Sequence, residues 1–197
     1  RHWSRLSQEF CLCEPNGEPA LYPELIRKAL PEDKIATLHA IKRSISSLPT
    51  SKAVKDFFLL AVVSVIPQFS NAVATGGWLS WTESDRPASQ IPEAVKGAVE
   101  LMLTDLKNQK LPRSRSWRAA EADARQLPQE DASCSGVVTS PPYPNRHDYT
   151  RVFGVELMFA FLDWEETRKL RYQTVHSHPE AKPERPPAEE YSPPPTI

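Results

Sequence analysis

The residues best placed to do chemistry are Ser140-Pro141-Pro142-Tyr143, at the point where the apolar run Gly136 to Thr139 stops. Consecutive prolines fix φ and remove two backbone donors, so they end a strand and hold the Ser140 hydroxyl and the Tyr143 ring in a defined relation. A stiff loop of this kind suits the orientation of a ligand. Lys107, Lys110, Arg113, Arg115 and Arg118 form a basic run without an intervening acid, suited to tracking a phosphate backbone and equally to a solvated helix end. Trp78 and Trp81 could make a stacking platform, with core packing as their default role. Cys11-x-Cys13 is followed by no second pair at zinc-finger spacing, and His2 is the only histidine near it, so no metal site is expected.

Elements must carry these residues. Pro23 opens a helical pattern through Leu25, Ile26, Ala29 and Leu30, and Pro31-Glu32-Asp33 opens a second with Ile35, Leu38, Ile41 and Ile45 at helical spacing. Ser51 can cap a third helix that is apolar on nearly all faces from Ala53 to Ile66 and hence central in a bundle. Gly76-Gly77-Trp78 to Pro87 reads as a loop or short extended segment, followed by a helix from Pro92 to about Asn108 with Val95, Val99, Met102, Leu103 and Leu106 on one stripe. Past Pro112 the pattern changes. A short strand is expected at Trp117 to Ala120, a turn at Asp123 to Pro128 and a second strand at Ser135 to Thr139. Asn145, with Asp148 three residues on, is the expected N-cap of a helix carrying Tyr149, Val152, Phe153, Leu157, Phe161 and Leu162.

Composition sets outer bounds. The chain has 197 residues, 40% hydrophobic and 25% charged, enough for a packed core. A formal net charge of -1 gives no global attraction for nucleic acid, so any such contact must be local. Three cysteines are too few for a disulfide framework and fit a reducing cytoplasm; no apolar run is long enough to cross a bilayer, so no membrane partner is expected. Without an initiator Met, and ending in proline-rich sequence, the chain is expected to be an internal fragment. Three regions are expected: 1–112 helical, 113–178 the part bearing the motif, and 179–197 a proline-rich linker or truncated insertion.

Ser140-Pro141-Pro142-Tyr143 resembles the catalytic motif of the site-specific DNA amino-methyltransferases, which methylate an exocyclic nitrogen of cytosine or adenine with S-adenosyl-L-methionine. Asp123-Ala124-Arg125-x-Leu127-Pro128 resembles the family's acidic turn near the cofactor, with Ala122 where a glycine is usual. The sequence from Asn145 to Tyr149 is similar to the continuation of the family's target-base loop, so that the match spans about Ala122 to Leu162. The resemblance implies an α/β fold: a partial Rossmann-like methyltransferase sheet carrying a large N-terminal helical insertion, with the motif at the carboxyl end of a strand.

It also implies roles. The lone pair of an exocyclic amine is delocalised into the ring, and acceptors that take both amino protons aim it at the methyl donor. Those acceptors map onto the Ser140 side chain and the Pro141 carbonyl; Pro142 stiffens the loop and Tyr143 stacks on the flipped base. Asp123 would lie by the cofactor, Asn145 by the substrate, and Arg113 and Arg115 on the DNA phosphates. Serine in the first position looks more like the cytosine-N4 subgroup than the adenine-N6 one. Direct transfer needs no cysteine nucleophile, so Cys134 reads as a structural thiol, and His147 reads as a polar residue of a helix N-terminus ahead of a base. The family's glycine-containing cofactor loop is absent from the sequence and is expected outside it, so this piece alone should be inactive. Double-stranded DNA is the implied partner, a prokaryotic cytoplasm the implied location, and a companion restriction nuclease can accompany such enzymes. The competing reading is a non-catalytic helical interaction module with a proline-rich partner-binding tail.

Overall fold

A computed structural model describes residues 19–108, 119, 120, 122, 127–140 and 148–173. Helices α1 (Glu24–Ala29) and α2 (Glu32–Ser47) are each preceded by a proline, Pro23 and Pro31, with φ near -55° and -53°. The missing proline N–H is harmless there, because the first-turn donors of a helix have no intrahelical partner, and Glu32 and Asp33 complement the positive end of α2. Helix α3 (Lys52–Phe69) starts at Ser51, whose hydroxyl accepts from the Val54 N–H. It runs one turn beyond the sequence expectation, through Pro67. Pro67 is exposed, so its ring meets solvent, and it sits close enough to the helix end that little of the ladder is lost.

Strands β1 (Ala72–Thr75) and β2 (Trp78–Trp81) pair antiparallel, Ala72 opposite Trp81 and Thr75 opposite Trp78. Gly76 turns the hairpin at φ +59°, a left-handed conformation that glycine takes without Cβ strain. After a short 3-10 turn, α4 (Ile91–Asn108) buries Ile91, Val95 and Val99, while the far end of its expected stripe, Leu106, faces solvent. The C-terminal part comprises α5 (Tyr149–Val152), α6 (Gly154–Ala160) and α7 (Trp164–Gln173).

One core joins these parts. Phe58, Ala61, Val62, Val65, Ile66 and Phe69 of α3 lie at its centre, against α2 and α4. Val155, Met158 and Phe159 of α6 enter the same cluster beside α1 and α3. Burying each such side chain is worth about 1.5–3 kcal/mol, enough to hold α6 on the bundle. Polar ties reinforce the seam. Lys42 Nζ donates to the Phe159 carbonyl at 2.6 Å, and Tyr22 stacks on the Phe159 ring at 5.3 Å. Lys34, 4% exposed, donates to the carbonyls of Phe69 at 3.0 Å and Ser84 at 3.1 Å, placing its charge on the negative end of α3.

Several expectations are corrected. Gly136 to Ser140 is irregular, not the end of a strand, and Val137 and Val138 are 81% and 102% exposed. A strand is defined by its ladder, and among the described residues the only strands are those of the hairpin, which pair with each other. Ala119 and Ala120, half of the other expected strand, are likewise irregular and exposed. The helix expected to run through Phe153 to Leu162 is broken in two at Phe153 and ends at Ala160. Its N-cap is Asp148; Asn145 lies outside the described residues. No helix among the described residues is long and apolar enough to cross a membrane.

Candidate functional site

Ser140 is the one member of the expected catalytic motif among the described residues, and it is exposed in irregular chain. Pro141, Pro142, Tyr143 and Asn145 lie outside them, as do Asp123, Arg113, Arg115, His147 and most of the basic run. The described chain resumes at Asp148, which is buried at 5% exposure. Its Oδ1 accepts from the Thr150 N–H at 3.1 Å, the Thr150 hydroxyl at 2.6 Å and the Arg151 N–H at 3.3 Å. Its Oδ2 pairs with Arg171 Nε at 2.9 Å and Arg151 Nε at 3.5 Å. One carboxylate thus caps α5 and ties α7 to it.

Helix α7 is not among the elements expected from the sequence, although Asp163-x-x-Glu166 announces it. Asp163 Oδ1 accepts from the Glu166 N–H at 2.7 Å, and Glu166 Oε2 accepts from the Asp163 N–H at 2.9 Å, a reciprocal capping box. Helix α7 then lies across from β2, with α5 between them at the base.

Between these elements is a cleft of about 370 Å³. Trp78 and Trp81 line one side; Trp164 and Tyr172 of α7 line the other. All four rings are between 38% and 56% exposed, which overturns the default of core packing for Trp78 and Trp81. Three residues apart on one strand, Trp78 and Trp81 project to opposite faces of the hairpin, and of the strand residues only Ala72 is buried and Leu79 half-buried. The described lining also holds Arg151, Arg168 and Arg171 and no carboxylate. The Arg151 guanidinium stacks 5.0 Å from the centre of the Trp78 ring, and Lys28 Nζ sits 4.1 Å from that of Trp81. Arginine beside aromatic faces suits a ligand that is both planar and anionic.

A wider cleft of about 1140 Å³ shares Leu25, Trp81, Met158 and Trp164 with the first. Its wall includes the Tyr22 hydroxyl, hydrogen-bonded to His39 Nδ1 at 2.7 Å. Burial pushes the Tyr22 phenol up to about 12 and lowers the Lys42 ammonium from its usual range. Glu156 is pushed up by burial, against an opposing backbone hydrogen bond. The cleft lining mixes Lys28 and Lys42 with Glu24, Asp163 and Glu165, so it has no single electrostatic preference.

Cys134, expected as a structural thiol, is exposed. No group of three or more potential metal ligands occurs among the described residues. A Cβ at Gly76, Gly97 or Gly136 would meet nothing within 4 Å, and one at Gly154 would meet only the Leu25 side chain at 3.2 Å. Among the described residues these glycines identify no holder for S-adenosylmethionine.

Part of the chain is similar to a methyltransferase. It is 46% identical over 41 residues to the Type II methyltransferase M.BsoBI of Geobacillus stearothermophilus. That stretch is 21% of this chain and 8% of that protein, so the chain spans a small fraction of its relative's length. No family profile and no solved structure matches the chain.

Proposed function

We propose that this chain is part of an S-adenosylmethionine-dependent DNA methyltransferase acting on an exocyclic amine of double-stranded DNA, cytosine N4 in preference to adenine N6. The observation that carries the proposal is the Ser140-Pro141-Pro142-Tyr143 motif in a chain with a stretch similar to a Type II methyltransferase. Ser140 Oγ and the Pro141 carbonyl accept the two amino protons and Tyr143 stacks on the base, so the chain contributes orientation and electrostatics. Exposure of Ser140 leaves its hydroxyl accessible to a base delivered from outside. The donor supplies the methyl group when bound, held by residues other than those described. The α/β sheet that would support the motif belongs to the same proposal, as do a cytoplasmic setting and a role in restriction-modification.

The test uses the whole protein that carries this chain. Ser140→Ala and Tyr143→Ala should each reduce methylation about a hundredfold or more while donor binding persists, since a single preorganised polar contact at a reacting centre is commonly worth that much. Mass analysis of nucleosides should show N4-methylcytosine. Undiminished methylation in both variants refutes the site, and no methylation by the intact protein favours the interaction-module reading.

A further inference from the structure

The aromatic and arginine cleft between β2 and α7 has no part in the methyl-transfer reading, and its composition is selective. Three of the chain's five tryptophans line it. Large aromatic surface left half-exposed forgoes the burial that would stabilise the fold, and here it is gathered around one concavity. Trp164 and Tyr172 are 52% and 38% exposed, so each ring offers apolar surface to a ligand in the cleft. The arginines are arranged for an anion. Arg151 is oriented by Trp78 and by Asp148, Arg171 by the same Asp148, and Arg168, 59% exposed, pairs with Glu165 only at 3.8 Å. Guanidinium groups already held in place lose little freedom when they fork onto a phosphate.

We propose that this cleft takes an unpaired nucleotide of a DNA strand, with the base stacked against Trp164 and the adjoining phosphate on Arg168 and Arg171. The volume of about 370 Å³ falls in the lower part of the range of small-ligand sites, about 300–1,000 Å³, and suits one nucleotide. Stacking on an aromatic face accepts any base, and the arginines read only the backbone, so binding is independent of sequence and sensitive to salt. The proposal uses none of the motif residues and concerns a strand already opened.

The test is fluorescence anisotropy of a labelled short oligothymidylate titrated with the full chain in the absence of any methyl donor. Trp164 and Arg168 are exposed, so Trp164→Ala and Arg168→Ala should fold, which circular dichroism verifies. Trp164→Ala should weaken binding about tenfold or more and Trp164→Phe should restore most of it, because stacking on one base is worth roughly five- to a hundredfold. Arg168→Ala should lower the slope of log affinity against log salt by about 0.7, the value for one phosphate on a single strand. Unchanged affinity in Trp164→Ala overturns the proposal. So does an acidic, tyrosine-containing peptide of equal charge that binds as tightly as the oligonucleotide. Since no methyl donor is present, either failure leaves the methyl-transfer reading standing.

Discussion

Replacing Asp148 probes the tie between α5 and α7. Alanine removes the acceptor for the Thr150 and Arg151 N–H groups, a capping loss of about 1 kcal/mol. It also leaves Arg171 and Arg151 without the carboxylate at 2.9 and 3.5 Å. Breaking a fully buried pair costs about 3–5 kcal/mol, but these arginine side chains keep 21% and 32% exposure, so water replaces part of the lost interaction and about 2 kcal/mol is the appropriate share. The sum is about 3 kcal/mol, equivalent to a melting temperature lower by about 9 °C for a chain of this size. Asparagine caps nearly as well as aspartate, so Asp148→Asn should recover the capping part and lose only the charged part, about 2 kcal/mol. Urea unfolding followed by far-ultraviolet circular dichroism, with an unchanged denaturant slope, measures both values. A cycle with Arg171→Met isolates the ion pair. A loss below about 1 kcal/mol in Asp148→Ala would show that the carboxylate neither caps nor ties, and the reasoning would fail.

Lys34→Met preserves the aliphatic stem but removes the donor to the Phe69 and Ser84 carbonyls; it should cost about 2–3 kcal/mol and speed hydrogen exchange around Ser84. Unaltered thermal stability would show that those carbonyls find other partners. The Tyr22 phenol, raised from 10.0 to about 12, keeps its proton longer in the folded state than in the unfolded one. Its contribution is therefore complete below pH 10 and is lost as pH rises through 12. Lys42 works in the opposite sense: lowered from 10.5, it adds stability as pH climbs to that value, which leaves the fall between 10.5 and 12 to Tyr22. Chemical denaturation across this range should show a descending limb that Tyr22→Phe flattens; an identical limb in the variant would assign it elsewhere.

The parts of the fold legible in the sequence are those set by neighbours along the chain. Pro23, Pro31 and Ser51 mark helix starts because each acts on its own first turn, and the spacing of Ile35, Leu38, Ile41 and Ile45 gives the buried face of α2. Asp163 and Glu166 are an equally local signal, each accepting from the other's N–H at the start of α7. Gly136 to Ser140 was different: Val137 and Val138 have the composition of a strand, but pairing depends on chain that must come from elsewhere, and composition carries no information on whether it arrives. The same limit hid the cleft. Trp78 and Trp164 are 86 residues apart by number and meet only because α6 seats α7 on the bundle across from the hairpin. Asn145 and Asp148 are both good caps by residue type; the cap of α5 is Asp148, whose carboxylate also pairs with Arg171.

Val155, Met158 and Phe159 share one buried cluster with residues drawn from Tyr22 to Val99, so α6 covers apolar surface of α1 and α3 that its loss would expose to water. A single residue gained or lost between Asp148 and Gly154 would pull the cap of α5 and the buried face of α6 out of phase.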